Sequence, residues 1–576
     1  MPEKIWNYRH RELKPENVRR ISKNLNIPPV ITAILLNRNV SETDIPAFMA
    51  KSMKSVRNPM LMKDMDKAVK RIKTALDKHE KIVVYGDYDV DGITSTTLMY
   101  DFLASLGADV DFYIPNRENE GYGMNIKAVN RLIKQGVKLL ITVDCGITAL
   151  GEVSFAKLLG MDVIVTDHHT CTERLPEDAC AVLNPKRPDC DYPFDGLAGV
   201  GVAFKLVLAL AMLFKMNTTQ CFNKYIDIVA LGTIADIVPL LDENRIMTAK
   251  GVAAIASSSR PGIRALIKVS EADKRPFNAT SVAFTLAPRL NAAGRLGSAD
   301  AGVKLLLEKD YAAAEKMAQQ LEEENRRRRS EEQIIYAQAL EMLDADSELE
   351  KKKVIVLAKS GWHKGVIGIA AARICERFDK PCILLSIDEK GVGKGSGRSV
   401  PAFNLFSALA HCEDLLTAFG GHSAAAGLTI DEKSIEEFTK KINAYADSVL
   451  TAADMIPKLD IDYPVTEKDI SVEAAKLLEG LEPFGAGNEK PVFALENARV
   501  YAADTMGADG RHLRLRILAG DKIINCAGFS MGELAKELNA GDNVSIAFNM
   551  DINRFRGAEN VQLIIKDIKK GGRADG

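Results

Sequence analysis

The sequence predicts an α/β protein with a doubly wound, mostly parallel sheet, followed by a second α/β domain and a small β-barrel. Three observations lead to this fold class. From residue 82, four short apolar runs begin 28, 29 and 24 residues apart, the length of a βα unit. The stretch from Tyr311 to Leu343 contains neither Gly nor Pro and predicts one long helix. Beyond about residue 456, five short β-rich runs follow one another.

The four apolar runs predict parallel strands. They cover residues 82–87, 110–115, 139–144 and 163–167. Each run is nearly continuous in apolar residues, as expected of strands that helices cover on both faces. An open α/β sheet is therefore predicted for the first domain.

The remaining chain predicts two further domains. A second α/β unit begins at Val354 and includes two glycine-rich segments, 391–399 and 420–430. The later runs predict an OB-type barrel with a helix near 532–538; they cover 498–502, 512–518, 523–528, 544–550 and 561–565. The predicted boundaries are 1–310 for the first domain with its N-terminal segment, 311–345 for the helix, 346–452 and 453–576.

Composition predicts a soluble, cytoplasmic protein. The 576 residues carry a net charge of −2, which excludes a histone-like basic protein, so any nucleic-acid surface must come from local clustering. Nine scattered cysteines without a C-x-x-C pair argue against a disulfide scaffold and favour a reducing compartment. The N-terminus lacks the apolar segment of a signal peptide. The apolar stretch 196–214 predicts a buried helix rather than a membrane span.

Acidic residues and histidines follow the predicted strands where they end. Asp87, Asp89 and Asp91 follow the first strand, Asp144 the third, and the Asp167-His168-His169 triplet the fourth. The carboxyl ends of parallel strands meet at one edge, where ligands bind. So many carboxylates at one edge need cations, and Asp/His ligation without Cys suits Mn²⁺, or alternatively Mg²⁺.

Each of these patterns has an alternative interpretation when it is taken alone. A D-x-D-x-D run fits a calcium loop or a solvated turn, and an Asp after a strand fits a helix N-cap. A single His is often structural. Three sets at the ends of strands of one sheet favour a two-cation site for phosphoester hydrolysis.

The motifs resemble the DHH phosphoesterase superfamily. The residues that carry this resemblance are VYGDYDVDGITS (84–95), ITVDCG (141–146), VTDHH (165–169) and LGTIADIVPL (231–240). The resemblance narrows to the RecJ-type family of single-strand-specific 5′→3′ exonucleases through PRLNAAGR (288–295), GWHKGVIGI (361–369), GSGRS (395–399) and FGGHSAAAG (419–427). It covers essentially the whole chain.

The resemblance implies hydrolysis of single-stranded DNA to mononucleotides in DNA repair and recombination, with two Mn²⁺ (or Mg²⁺) ions. The implied first-ion ligands are Asp89 and Asp144, with Asp87 as a further candidate; the implied second-ion ligands are Asp91, Asp144, His168 and Asp236. Asp144 would bridge the ions. His169 is implied to face the phosphate and Asp167 to orient a neighbour. In some relatives a ligand His lies slightly upstream of the D-x-D pair, where this chain has Tyr85-Gly86-Asp87.

The second α/β unit resembles the DHHA1 substrate-binding domain. Ser396 and Arg398 are two residues apart and would point to the same side of an extended segment, where both could bind a phosphate. Taken alone, this Gly/Ser/Arg segment is more often a flexible surface turn. His422 could hydrogen-bond the scissile phosphate or be structural. A pocket for the 5′ phosphate is predicted from Arg117, Arg289 and the Ser396/Arg398 pair, each Arg being an ordinary surface ion pair in the alternative.

Basic and aromatic residues in the predicted barrel could follow a single strand or form a solvated strand face. They are Arg511, Arg514, Arg516, Arg554, Phe555 and Arg556. The expected partner is single-stranded DNA with a 5′ end, and the resemblance suggests a single-strand-binding protein and a helicase. The chain is expected to be a monomer that does not bind membranes. The alternative functions are a DHH-type short-oligonucleotide or cyclic-dinucleotide phosphodiesterase or a pyrophosphatase, and a non-catalytic DNA-binding scaffold.

Overall fold

The structure is a computed structural model that describes residues 4–9, 13–116, 120–121, 123–274, 276–296, 299–507, 509–555 and 557–571. The strands are β1 Ile5–Tyr8, β2 Ile82–Tyr85, β3 Val110–Tyr113, β4 Leu139–Val143, β5 Asp162–Thr166, β6 Ala181–Leu183, β7 Ile355–Ser360, β8 Cys382–Ile387, β9 Val392–Arg398, β10 Leu416–Gly421, β11 Ala425–Asp431, β12 Lys458–Ile461, β13 Tyr463–Pro464, β14 Phe493–Met506, β15 His512–Ala519, β16 Lys522–Gly528, β17 Asn543–Phe555 and β18 Ala558–Lys570. The helices are α1 Pro15–Leu25, α2 Pro29–Asn37, α3 Ile45–Ala50, α4 Met65–Asp77, α5 Val90–Ser105, α6 Ile126–Lys134, α7 Leu150–Leu158, α8 Gly199–Leu213, α9 Thr218–Ala235, α10 Asp242–Ala256, α11 Pro261–Ser270, α12 Ala279–Ser281, α13 Ala287–Leu296, α14 Asp300–Leu307, α15 Tyr311–Ala345, α16 Ser347–Lys351, α17 Ile367–Phe378, α18 Leu405–His411, α19 Ile435–Val449 and α20 Val472–Glu479.

The first domain contains the predicted parallel sheet. Its strand order is β3-β2-β4-β5-β6, and every pair is parallel. Side chains of β2 alternate between two hydrophobic cores: Ile82 and Val84 pack with α4, α5 and α8, whereas Val83 and Tyr85 pack with α6 and α7. The doubly wound α/β prediction is therefore confirmed. Strand β6 was not predicted, because three residues are too few to show a pattern.

The apolar stretch predicted to be a buried helix forms α8, in which nearly every side chain is buried, including Lys205. No helix in the described ranges is both long enough and apolar enough to cross a membrane. Helix α8 instead packs on α5 and α9, so its apolar surface belongs to the core of the first domain.

The long helix predicted from residue 311 is confirmed as α15, which spans 35 residues. Its first half contributes Ala318 and Leu321 to a core of the first domain, and its second half contributes Ile335 and Ala339 to the next domain. Glu322 pairs with Arg326 four residues on, as the i,i+4 spacing predicts, but the Glu322 side chain is only 14% exposed, so it does not lie on a solvated helix face. The helix connects the two α/β domains.

The second domain has a mixed sheet of order β10-β11-β9-β8-β7, in which only β7 and β8 are parallel. The glycine-rich segment that could have been a surface turn is β9, the central strand. A Cβ on Gly395 would lie 2.7 Å from Leu385 Cδ2, and a Cβ on Gly397 would lie 2.7 Å from Leu405 Cδ2. Glycine therefore faces the core at alternate positions of β9, because the inner layer has no room for a side chain there.

The C-terminal domain is a closed five-stranded barrel, as predicted. Strands β14 to β18 form it, β14 and β17 pair to close it, and a short helix at Gly532–Lys536 lies between β16 and β17. The predicted domain boundaries stay predictions, but the N-terminal segment contacts this barrel rather than the parallel sheet alone. Strand β1 pairs with β12, and α1 to α3 add Ile21, Ile34 and Ile45 to the barrel core.

Candidate metal centre and interdomain cleft

Side chains from four segments of the first domain converge at the carboxyl edge of the sheet. Ligand atoms of Asp87, Asp89 and Asp144 lie within 4.8 Å of one another, as do those of Asp91, His168 and Asp236. A third such group consists of Asp144, His168 and His169. The structure therefore brings together all six residues predicted as metal ligands, with Asp144 between the two groups.

His168 lies at the centre of the second group. Its Nε2 atom is 3.2 Å from Asp144 Oδ1, 3.5 Å from Asp236 Oδ2 and 3.9 Å from Asp91 Oδ2. His168 and Asp144 follow neighbouring parallel strands, whereas Asp236 follows the end of α9. The convergence of residues far apart in sequence therefore results from the sheet and from the packing of α9 against α5.

Glycines and an unusual backbone conformation allow this close approach. Asp144 has a φ of 60°, in the left-handed region that Asp tolerates better than most residues. A Cβ on Gly199 would lie 2.5 Å from Asp144 Oδ1, and a Cβ on Gly232 would lie 3.0 Å from Asp91 Oδ1. Larger residues at these two positions would displace the carboxylates.

Two carboxylates are oriented by helix N-termini. Asp89 caps α5 by accepting a 3.0 Å hydrogen bond from the Gly92 amide. Asp91 accepts hydrogen bonds from the amides of Gly199 (2.6 Å) and Val200 (2.8 Å) at the start of α8. Free amides at a helix N-terminus favour a negative side chain, so both aspartates have defined orientations without a cation.

Burial and mutual repulsion raise the pKa values of these carboxyl groups. Burial, followed by the charge of Asp89, raises the pKa of Asp91 to about 7, and burial with the charge of Asp91 raises that of Asp236 to about 9. The pKa of Asp144 is raised for the same reasons. Burial, followed by the positive charge of His169, lowers the pKa of His168 to about 3, so its ring is neutral, as a metal ligand requires.

The donor set fits a divalent metal ion. Asp144 Oδ1, Asp236 Oδ2 and His168 Nε2 are buried and have no hydrogen-bond partner within the described part of the chain. Buried polar atoms without partners are costly, and a shared cation would satisfy all three. Carboxylate oxygens with one imidazole and no thiolate suit Mn²⁺ or Mg²⁺.

Asp167 is a hydrogen-bond acceptor that organises the DHH triplet. Its Oδ1 accepts from His169 Nδ1 (2.7 Å) and from the His168 amide (2.7 Å), and its Oδ2 accepts from the Ile147 amide (2.9 Å). Burial lowers the pKa of His169, but the hydrogen bond and charge of Asp167 outweigh it and raise that pKa. Asp167 thus orients His169, whose side chain is 37% exposed and accessible to a phosphate.

Tyr85 does not take the place of the upstream histidine ligand of some relatives. Its side chain is buried, its hydroxyl donates to the Gly123 carbonyl (3.0 Å), and Asn125 donates to it. It lies on the other face of the sheet from Ile82 and Val84. The first ligand group in the described residues therefore consists of the three aspartates.

A cleft of about 940 Å³ lies between the first and second domains. Tyr88, from the loop between Asp87 and Asp89, lines one side. The Ser396/Arg398 pair lines the other side, on β9 as predicted, with Arg398 Nη1 donating to Ser396 Oγ (3.2 Å). Four basic residues and no acidic residue occur among the described residues that line it: Arg295, Lys364, Lys394 and Arg398.

The other predicted substrate residues have different positions. Arg289 is buried between α13 and α15, with Nε 2.6 Å from Glu322 Oε2, so it is part of an ion pair rather than a lining residue of the cleft. Arg289 thus forms an ion pair, as in the alternative interpretation, but a buried one rather than one at the surface. His422 is exposed in the turn between β10 and β11. Arg117 lies outside the described residues.

Sequence reasoning missed several residues near the site. Arg295, the second arginine of the PRLNAAGR motif, lines the cleft where Arg289 does not. Lys364 and Lys394 also line the cleft. The sequence signal for Lys394 was the alternation of glycine with polar residues in GKGSGR (393–398). Asn184 is fully buried and donates to the His169 carbonyl (2.9 Å), and it follows the strand β6 that was also missed.

The barrel presents a mixed surface. Arg516 lies over the ring of Tyr501 at 5.2 Å, and both side chains are exposed. Arg514 lies 3.5 Å from Asp504, and Arg511 pairs with Asp509. Arg554 pairs with two glutamates. Phe555 ends β17, but its side chain and all of Arg556 lie outside the described residues. Of the predicted set, Arg516 is therefore best suited to bind a strand, together with Tyr501, which was not predicted.

Three family models match the chain: the DHH family N-terminal domain at 81–233, the DHHA1 domain at 351–448 and the RecJ OB domain at 461–567. The single-stranded-DNA-specific exonuclease RecJ of Bacillus subtilis is 40% identical over 554 residues, covering 96% of this chain and 69% of that protein.

Two solved structures of RecJ from Thermus thermophilus also match. The complex with Mn²⁺ has a TM-score of 0.82 and 30% identity, covering 99% of this chain and 80% of that chain. The complex with Mg²⁺ has a TM-score of 0.76 and 29% identity, covering 99% and 79%. By its three matched domains, its 40% identity to a RecJ protein over 96% of this chain and its shared fold, this chain belongs to the RecJ family.

Proposed function

We propose that this protein is a metal-dependent exonuclease that hydrolyses single-stranded DNA from the 5′ end to mononucleotides, in DNA repair and recombination. The observation that carries the proposal is the placement of Tyr88, from the metal-ligand loop, and the Ser396/Arg398 pair on opposite sides of one cleft. A DNA end in this cleft would contact both. The relatives named as single-stranded-DNA-specific exonucleases support the same substrate.

The metal centre supplies the hydrolytic chemistry. Two divalent ions bound there would activate water and neutralise charge that develops on the phosphate. Asp87, Asp89 and Asp144 would hold one ion, and Asp91, Asp144, His168 and Asp236 the other. Asp167 accepts from His169 Nδ1 and raises the pKa of the ring, which favours the imidazolium form; in that form Nε2 also carries a proton and would donate to a phosphate oxygen.

The cleft wall binds the 5′ end. Arg398 and Ser396 lie next to Gly368 in the first turn of α17, where a Cβ would be 2.7 Å from Ser396 Oγ. The guanidinium of Arg398 and the hydroxyl of Ser396 are therefore donors that this side of the cleft offers to a phosphate. Arg295 reaches the same cleft from the first domain. A terminal phosphate, which carries more charge than an internal one, suits this set and gives the direction of digestion.

The proposal extends to partners that the family resemblance suggests. The protein would act as a monomer on single-stranded DNA, with a single-strand-binding protein and a helicase supplying that DNA. Only the DNA is supported by the names of the relatives.

Product analysis on long single strands labelled at the 5′ or the 3′ end tests the function. With Mn²⁺ or Mg²⁺, we expect 5′-labelled DNA to release labelled mononucleotide at once and 3′-labelled DNA to shorten progressively, and EDTA to stop both. Release of mononucleotide from the 3′ label first would contradict the direction. Hydrolysis of dinucleotides or cyclic dinucleotides without long strands would instead support the small-substrate phosphodiesterase.

A further inference from the structure

Helix α13 contacts the metal-ligand loop directly. Asn291 Oδ1 accepts a 3.2 Å hydrogen bond from the amide of Val90, the residue between Asp89 and Asp91. One turn later, a Cβ on Gly294 would lie 2.2 Å from the Tyr88 carbonyl oxygen. The helix therefore contacts the loop through one hydrogen bond, at Asn291, and one van der Waals contact that is possible only with glycine at position 294.

The Val90 amide is one of the first amides of α5, which have no partner within that helix. Asp89 accepts from the Gly92 amide of the same turn. The start of α5 thus has one acceptor from the metal-ligand loop and a second from α13. Because Val90 separates two predicted ligands, a shift of its amide would move both carboxylates.

The same face of α13 reaches the second domain. Residues 291, 294 and 295 are three and four positions apart, so they share a face. Arg295 Nη1 donates to the Gly365 carbonyl (3.3 Å), and Arg295 lines the cleft together with Tyr88. One helix face therefore contacts the metal-ligand loop, the cleft and the opposite domain.

We propose that Asn291 is a positioning residue for the metal centre: by accepting from the Val90 amide, it holds Asp89 and Asp91 where they bind the ion. Gly294 supports the same contact by letting α13 approach the Tyr88 carbonyl. This inference rests on the proposed function only in taking Mn²⁺ as the ion.

Direct Mn²⁺ titration without DNA, followed by the electron paramagnetic resonance of free Mn²⁺, tests the role of Asn291. We expect Asn291→Ala to raise the Kd about fivefold, which corresponds to about 1 kcal/mol. Asn291→Asp keeps the acceptor and should restore a Kd within twofold of wild type. At saturating Mn²⁺, KM for DNA should be unchanged in Asn291→Ala.

Asn217→Ala is the matched control. Asn217 Oδ1 likewise accepts a hydrogen bond from a helix N-terminal amide, that of Gln220 at the start of α9 (3.0 Å). This control should leave the Kd at the wild-type value even where it lowers the thermal midpoint. Gly294→Ala is an independent variant. Alanine favours a helix more than glycine does, so a raised Kd in this variant would come from displacement of the loop.

Wild-type Kd values in both Asn291→Ala and Gly294→Ala would overturn the inference. An equally raised Kd in Asn291→Asp and Asn291→Ala would overturn the assignment to the acceptor atom. A wild-type protein that binds Mn²⁺ but does not digest DNA would contradict the proposed function alone, since the Kd comparison needs no DNA.

Discussion

The metal centre and the opposite wall of the cleft handle charge in different ways. The metal centre buries carboxylates beside one another, with Asp91 and Asp144 almost fully inaccessible and their pKa values raised. The wall instead places Lys394 and Arg398 on a half-exposed strand whose inner face is glycine. The metal centre needs a bound cation to be stable when its carboxyl groups are ionised. The wall needs an anion, such as a DNA phosphate, for its cations to have a function.

This difference shows that the hydrolytic chemistry and the binding of the DNA are assigned to opposite sides of the cleft. Buried carboxylates with defined orientations are suited to holding ions, but they repel DNA. Exposed cations attract phosphate but cannot activate water. Helices α13 and α15 contact the second domain and so help to place the two regions on either side of one cleft.

Replacing the central carboxylate should give the largest effect. Asp144→Asn keeps a residue that tolerates positive φ but removes the charge shared by both ligand groups. We expect hydrolysis to fall by at least about a thousandfold. Because a buried like charge is removed, the metal-free variant should melt at a higher temperature than metal-free wild type, as calorimetry can check. A variant that keeps a tenth of the activity would falsify the two-ion assignment.

Removing a cation from the wall should affect binding rather than chemistry. Arg398→Ala should raise KM for 5′-phosphorylated strands about 10–100-fold, the range for a hydrogen bond to a charged group, with little change in kcat. Its preference for 5′-phosphate over 5′-hydroxyl strands should shrink. Arg377→Ala is the control, an arginine of the same domain that does not line the cleft. An equal decrease of this preference in both variants would argue against a local phosphate site.

The two regions should also differ in their response to pH. In the metal-free protein, Asp91 and Asp236 have pKa values above those of unfolded aspartate, so the folded state binds more protons and loses stability as pH rises from about 4 toward 7–9. Mn²⁺ replaces those protons. The rise in thermal midpoint on adding Mn²⁺, measured against EDTA, should therefore be larger at pH 8 than at pH 6. Lys394→Ala should leave this difference unchanged, since the wall holds no ligand.

The barrel should contribute the smallest effect. Arg516→Ala removes one exposed guanidinium beside Tyr501. We expect a few-fold weaker affinity for long strands and a salt slope that is shallower by about 0.7 for each phosphate that Arg516 neutralises. KM for a dinucleotide should not change. An unchanged salt slope would place the long strand on another surface.

How much was predictable from sequence depended on the kind of interaction. Asp144 and the DHH triplet follow apolar runs that predict strands. Because the carboxyl ends of parallel strands lie at one edge of the sheet, their proximity could be predicted without knowing the rest of the fold. Arg289 and Arg295 lie in one motif, and nothing in their local sequence tells which faces Glu322 and which the cleft. That choice depends on the packing of α13 against α15, which is tertiary information.

The glycine-rich strand shows a second limit. Judged by its amino-acid composition alone, a segment with glycine at every second position resembles a flexible turn. In the structure, the glycines are the inward positions of β9, and the polar residues between them face the cleft. The period of two indicated a strand, but glycine is not hydrophobic enough to show which face of that strand is buried.

The N-terminal segment is the feature that local patterns could not place. Its helices bury Ile21, Ile31 and Ile34 in the core of a barrel near the opposite end of the chain. A truncation after about residue 454 would expose these side chains and remove the partner of β1. Such a truncation would change folding and DNA binding together, so point variants such as Arg516→Ala are the cleaner test.

This long-range pairing also sets an order of events on the ribosome. The barrel residues that pack against the first fifty residues are made more than 400 residues later. At 5–20 residues per second, the interval is roughly 20–80 s. During that time the apolar face of α2 has no barrel to cover it, while the parallel sheet can already form. Until the barrel has been synthesised, the apolar side chains of α2 therefore stay exposed on the nascent protein, where chaperones can bind them.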